Sequence, residues 1–182
     1  SELGYLAPDI SGNLQYNSLM HLLDSGDRSF SDVWKTFTLE DRVIFHTRQI
    51  ILTYYPDEQR FETYKTSRYA LFGFYENNKY FTGDYLEGLM VLEDDTVVQA
   101  KGGEYFKKKD IYGLTAYDDT HLLIGATDFG ISLYNMETGN IDTEFATEET
   151  NQYLNDNFLT HLARLKNGNF MASTGGGGIV IV

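Results

Sequence analysis

Apolar and polar residues alternate along this chain in short runs of one recurring kind. VIFHTRQIILTYY (43–55), YFTGDYLEGLMVLE (80–93), LLIGATDFGISLYN (122–135) and FMASTGGGGIVIV (170–182) each read as two apolar strands around a polar or glycine-rich turn. Upstream of each lies another apolar strand closed by Asp, Asn, Gly or Glu: DVWKTFTLED (32–41, carrying Trp34), RYALFGFYENN (68–78), IYGLTAYDDT (111–120) and FLTHLARLKNG (158–168). Asn and Asp suit those reversals because they hydrogen-bond their own backbone and tolerate positive φ. Downstream of the first three pairs comes a more polar strand: RFETYKT (60–66), TVVQAKG (96–102) and IDTEFAT (141–147). The strongest helical patterns, Asn17–Leu23 and Glu148–Leu154, are short enough to be single turns between strands.

Aligned at Gln49, Gly88, Gly130 and Gly178, the units recur about every 40 residues, and four strands in such a repeat predict a β-propeller blade. The polarity gradient fits: the two middle strands are most apolar, as strands sandwiched between blades are, and the fourth carries the charges of an exposed edge. A glycine after the second strand permits a tight positive-φ connection. A repetitive β-sandwich satisfies the strand spacing alone; the self-similarity favours the propeller. The expected fold is therefore an all-β propeller segment of about four blades, part of a larger propeller. Its divisions are a half blade at 1–20, blades at 31–66, 68–107 and 110–147, and a partial blade at 157–182. Because the chain starts and stops in mid-blade, two outcomes are expected. Either Leu14–Leu19 pairs with Ile179–Val182 to close a ring, or the open edges pair with another copy.

The 14 Lys and Arg residues against 27 Asp and Glu residues give a formal charge of −13. A field of that sign opposes nucleic acid and anionic lipid, so neither is an expected partner. The one basic run, Lys107-Lys108-Lys109, reads as a solvated strand end. With no cysteine, a thiolate metal site, a disulfide framework and a cysteine nucleophile are excluded. No apolar stretch approaches the ~20 residues of a membrane span.

Few residues suggest chemistry. Gly175-Gly176-Gly177-Gly178 lacks the Lys and Ser/Thr of a phosphate loop and reads as an inter-strand turn. Asp128-Phe129-Gly130 has none of the kinase elements that would make it a magnesium triplet. His21, His46, His121 and His161 lack zinc-site spacing. Asp94-Asp95 and Asp118-Asp119 sit in hairpin turns, where neighbours point to opposite faces. Asp24, Asp27 and Asp32 lack the ligand pattern of a calcium loop. No catalytic residue, metal or cofactor is expected. The best functional surface is the set of loops joining second to third strands and fourth strands to the next blade, since a rigid scaffold holds such loops while their side chains vary. It nominates Arg48, Asp84, Tyr85, Asp128 and Phe129 as ligand-binding candidates. Aromatic plates beside carboxylates or a guanidinium suit carbohydrate; packing between blades is the first reading for Tyr85 and Phe129.

LLIGATDFGISLYNMETGNIDTEF and FLTHLARLKNGNFMASTGGGGIVI resemble the two-component regulator propeller repeat. Leu123-Ile124-Gly125-Ala126-Thr127 stands for its second strand and Gly130-Ile131-Ser132-Leu133-Tyr134-Asn135 for its third. The motif's tryptophan is missing from all four second strands. The resemblance implies a non-catalytic, ligand-sensing or protein-interacting segment of a bacterial two-component sensor, on the periplasmic or extracellular side of the inner membrane. It implies a small-molecule partner, with an oligosaccharide as one candidate, or a protein partner. The alternatives are a propeller-fold carbohydrate-active hydrolase or lyase, and a scaffold that only binds proteins.

Overall fold

The computed structural model describes residues 2–67, 70–93 and 96–182. The chain divides into two compact units, 1–68 and 69–182. In the first, β1 (Gly4–Pro8) and β2 (Leu14–Ser18) form a hairpin, followed by a single 3-10 turn at Met20–Leu22. A four-stranded antiparallel sheet follows in simple meander order: β3 (Lys35–Thr38), β4 (Val43–His46), β5 (Ile50–Tyr55) and β6 (Arg60–Lys65). Leu3, Leu19, Leu23 and Phe30 pack with Ile50, Leu52 and Tyr54, so the hairpin and its turn help cover one face of this sheet. Trp34 stands just before the first strand instead of on it; its backbone N–H donates to the His46 carbonyl at 2.9 Å and prolongs the ladder.

The second unit stacks three more meanders. The first is β7 (Ala70–Glu76), β8 (Lys79–Asp84), β9 (Gly88–Glu93) and β10 (Thr96–Gln99). The second is β11 (Ile111–Ala116), β12 (His121–Ala126), β13 (Gly130–Asn135) and β14 (Ile141–Asp142). The third is β15 (Leu159–Arg164), β16 (Phe170–Thr174) and β17 (Ile179–Ile181). β12 shows why its sequence is a continuous apolar run. Leu122, Ile124 and Ala126 enter the core shared with the preceding sheet, and Leu123 enters the core shared with the following one. A strand buried on both faces needs apolar residues at every position, not at alternate ones. The first strands run close together: a Cβ on Gly113 of β11 would stand 2.7 Å from the Leu162 backbone nitrogen of β15. Only glycine allows that approach. First strands crowded together, with second and third strands buried between sheets, are the construction of propeller blades.

The structure corrects four expectations. The fourth strand over 141–147 shortens to Ile141–Asp142, and Glu148–Leu154 is not a single turn but part of α1 (Glu148–Asp156). The local sequence accounts for the change. The Thr147 hydroxyl caps the helix by accepting the Thr150 N–H at 3.2 Å, and Glu148 and Glu149 occupy the first turn, where the helix dipole favours negative charge. Leu154 then faces inward, fully buried in the core with Ile131, Leu159 and Phe170. The lysine run is likewise no strand end: it follows a 3-10 turn at Gly103–Phe106, and Lys108 takes φ +62°. Finally, Gln49 does not share the positive φ of Gly88, Gly130 and Gly178. The Thr47 hydroxyl holds that turn instead, accepting from the Gln49 and Ile50 N–H groups and donating to the Ile50 carbonyl at 2.8 Å.

The four glycines after β16 form a turn, and the turn is held. Gly175 and Gly176 donate to the carbonyls of Phe158 and Asn157 at 2.9 and 3.1 Å. The Tyr153 hydroxyl of α1 donates to the Gly177 carbonyl at 2.5 Å.

Candidate functional site

The turns between second and third strands are built by polar side chains bonding to backbone. In the first unit, Arg48 is exposed and its guanidinium lies 4.9 Å from the Trp34 ring centroid, a cation–π contact that keeps the long side chain extended over the ring. Its carbonyl accepts the Thr66 hydroxyl at 2.8 Å.

In the second unit, Asp84 is buried. Its carboxylate accepts the Leu86 and Glu87 N–H groups at 2.9 and 3.1 Å, so it shapes the turn that presents Tyr85 and Leu86 to solvent. The Tyr85 carbonyl accepts the Lys108 N–H at 2.7 Å, which joins this turn to the segment after the 3-10 turn. Phe129 lies against Tyr105, edge to face, and against Phe106, each with centroids 5.9 Å apart. Asp128 is exposed at φ +69°, held by the clamp beside it: the Asp110 N–H donates to the Thr127 hydroxyl and the Thr127 N–H to the Asp110 carbonyl. Among these candidates, then, Asp84 bonds backbone and Phe129 packs on rings, while Arg48, Tyr85 and Asp128 reach solvent.

Asp128 also lines a cavity of 220 Å³ that sequence reasoning missed. Its other walls include Tyr112 at the start of β11, Ala126 at the end of β12, Leu154 and Asn155 in the last turn of α1, and Phe158. These residues come from three separate stretches, so no local motif announces them. Phe158 is unusual. It follows the helix C-cap Asn157, takes φ +58° and is 76% exposed. That position normally holds glycine or asparagine, because a Cβ there is crowded. Burial and the Asp110 carboxylate push the Tyr112 phenol upward, so it stays protonated as a donor.

The histidine of the second hairpin is committed to structure. The Asp118 carboxylate accepts the Thr120 and His121 N–H groups at 2.8 and 2.7 Å and lies 3.0 Å from His121 Nδ1. Its carboxyl is pushed down to about 2, chiefly by the Thr120 N–H. The Asn135 carbonyl oxygen accepts the Glu137 and Thr138 N–H groups, so its NH₂ faces His121 Nε2 at 2.9 Å. Nε2 therefore accepts, and the proton on Nδ1 points to Asp118. Asp27, one of the three aspartates that lack a calcium-loop pattern, accepts the Thr63 hydroxyl at 2.8 Å. No three His, Asp or Glu side chains gather to hold a metal among the described residues. The turn expected at Asp94-Asp95 lies outside the described residues.

Meandering sheets with packed faces define the class: the fold is a β-propeller, in about four blades. Solved structures agree. The extracellular domain of the proposed hybrid two component system BT4673 from B. thetaiotaomicron matches 98% of this chain and 24% of its own length, at 16% identity and a TM-score of 0.63. That of BT3049 from the same organism matches 83% of this chain and 20% of its own, at 18% identity and a TM-score of 0.59. The WD40 propeller domain of Doa1 matches 78% of this chain and 46% of its own, at 18% identity and a TM-score of 0.58. The chain thus spans a quarter or less of the two extracellular domains. No family model and no curated protein matches this sequence.

Proposed function

We propose that this chain is a non-catalytic recognition segment of a bacterial two-component sensor, placed outside the inner membrane. It reads a small molecule, with an oligosaccharide as one candidate, or a partner protein. The observation that carries this reading is the construction of the loops. Asp84, Thr47 and the Thr127–Asp110 clamp fix backbone, and the same turns display Tyr85, Leu86, Arg48 and Asp128. Rigid backbone with varied exposed side chains is how scaffolds carry binding sites. The likeness to two extracellular sensor domains supports the setting. A catalytic reading finds less support, because the histidine–carboxylate pair His121 with Asp118 closes a hairpin.

Thermal unfolding against a panel of oligosaccharides tests the proposal. A true ligand at a hundred times its Kd adds about 2.7 kcal/mol and raises Tm with dose. If the whole parent protein shows no shift across a broad panel and retains no partner protein, the sensory reading is wrong.

A further inference from the structure

The cavity between the end of α1 and the Thr127–Gly130 turn has a consistent chemistry. Its floor is apolar, with Ala126 and Leu154. Its lip is the ring of Phe158, turned to solvent from a backbone conformation that a bulky residue resists. Two of its walls carry negative potential. One is Asp128, whose carboxylate has no hydrogen-bond or ion-pair partner among the described residues. The other is the C-terminal end of α1, a nine-residue helix with no basic residue in its last turn and Asp156 there instead. A helix C-terminus is the negative pole of the backbone dipole; the N–H groups of Asn157 and Phe158 cap the Tyr153 and Asn155 carbonyls, but no positively charged side chain in the last turn offsets the pole. Among the described residues, no Lys, Arg or His lines the cavity.

We propose that this cavity binds a small organic cation, an ammonium or guanidinium head carried on an apolar body. The head sits between Asp128 and the end of α1. The face of Phe158 attracts it through the ring quadrupole, as aromatic walls do for alkylated ammonium groups. Leu154 and Ala126 receive the apolar body, and the Tyr112 hydroxyl and the Asn155 amide offer polar contacts at the rim. The volume sets the scale: 220 Å³ lies below the roughly 300–1,000 Å³ of common ligand pockets, which suits a single ring or a side-chain-sized group. The strain at Phe158 is also accounted for. Glycine there would relax the backbone but remove the ring. The inference does not depend on the sensory reading, since a cation site needs no signalling output.

The test is calorimetric titration of the full chain with benzyltrimethylammonium, benzyl alcohol and benzoate. The cation is expected to bind at least tenfold tighter than the neutral alcohol, and benzoate not at all. Asp128→Asn is expected to weaken the cation at least fivefold, and so is Phe158→Gly, which relieves the backbone and keeps the fold. N-acetylarginine amide serves as a second probe: the tighter of the two cations shows whether a free alkylated ammonium or a peptide guanidinium is the natural source, and either result supports the site. Equal affinity for cation and alcohol overturns the proposal. So does cation binding that survives both substitutions, because that is only attraction to a chain of charge −13.

Discussion

The second unit contains two junctions between neighbouring sheets, and they are closed differently. Between the β7–β10 and β11–β14 sheets, the chain leaves β10, makes a 3-10 turn and drives Phe106 into a core with Phe74, Phe81 and Tyr134. Between the β11–β14 and β15–β17 sheets, it leaves a two-residue β14, winds α1 and inserts Leu154. In both, the segment after the fourth strand supplies the plug. The aromatic plug fills the space beneath its turn, while a polar cavity of 320 Å³ opens elsewhere in that junction, among Lys79, Glu93, Lys101 and Tyr134. The helix covers its junction with a longer element, and a cavity and an outward phenylalanine lie where its end meets the next strand. Two phenylalanines in corresponding segments thus have opposite fates: Phe106 fully buried, Phe158 mostly in water.

The sharpest way to break this contrast is to remove each plug. Phe106→Ala is expected to cost about 4 kcal/mol and Leu154→Ala about 3 kcal/mol in denaturant unfolding, since both leave cavities in packed cores. A cost below about 1 kcal/mol at Leu154 would show that α1 only drapes over the junction. Next comes the close approach of first strands. Gly113→Ala puts a methyl group against the Leu162 backbone and is expected to lose about 1–3 kcal/mol by overpacking, read as a lower denaturation midpoint.

Phe158→Gly sharpens the comparison from the other side. It removes a large aromatic group yet is expected to leave stability unchanged or raise it by up to about 1 kcal/mol, because the left-handed backbone is relaxed. A clear loss would place Phe158 with Phe106 as a packing residue. The smallest effect is at the β11–β12 hairpin. Asp118 titrates near 2, below its usual 3.8, so its bonds contribute fully above about pH 4 and are lost as pH falls through 2. Amide exchange at Thr120 and His121 is expected to quicken over that range, and Asp118→Asn to flatten the dependence.

The repeat was legible because blade strands are buried on both faces or one, and runs such as Leu122–Ala126 and Ile50–Tyr54 record that burial directly. The fourth strand at 141–147 misled because Ile141, Phe145 and Thr147 alternate like a strand, while the capping role of Thr147 competes over the same residues. Of the site, the turns were visible through Asp84 and Asp128, residues that turns favour. Whether each faced backbone or solvent was not: Asp84 turns onto the Leu86 and Glu87 N–H groups, while Asp128 in the matching turn faces solvent. Phe158 carried no signal at all: a phenylalanine before Leu159-Thr160 reads as the start of a strand, and only the helix ending at Asp156 gives it another backbone.

Four consecutive glycines ordinarily make a flexible tether that proteases cut readily. In this chain the run from Gly175 to Gly178 is stitched to Asn157, Phe158 and Tyr153, so limited digestion is expected to spare it. Removing the phenol with Tyr153→Phe would loosen one stitch and open a cleavage point there.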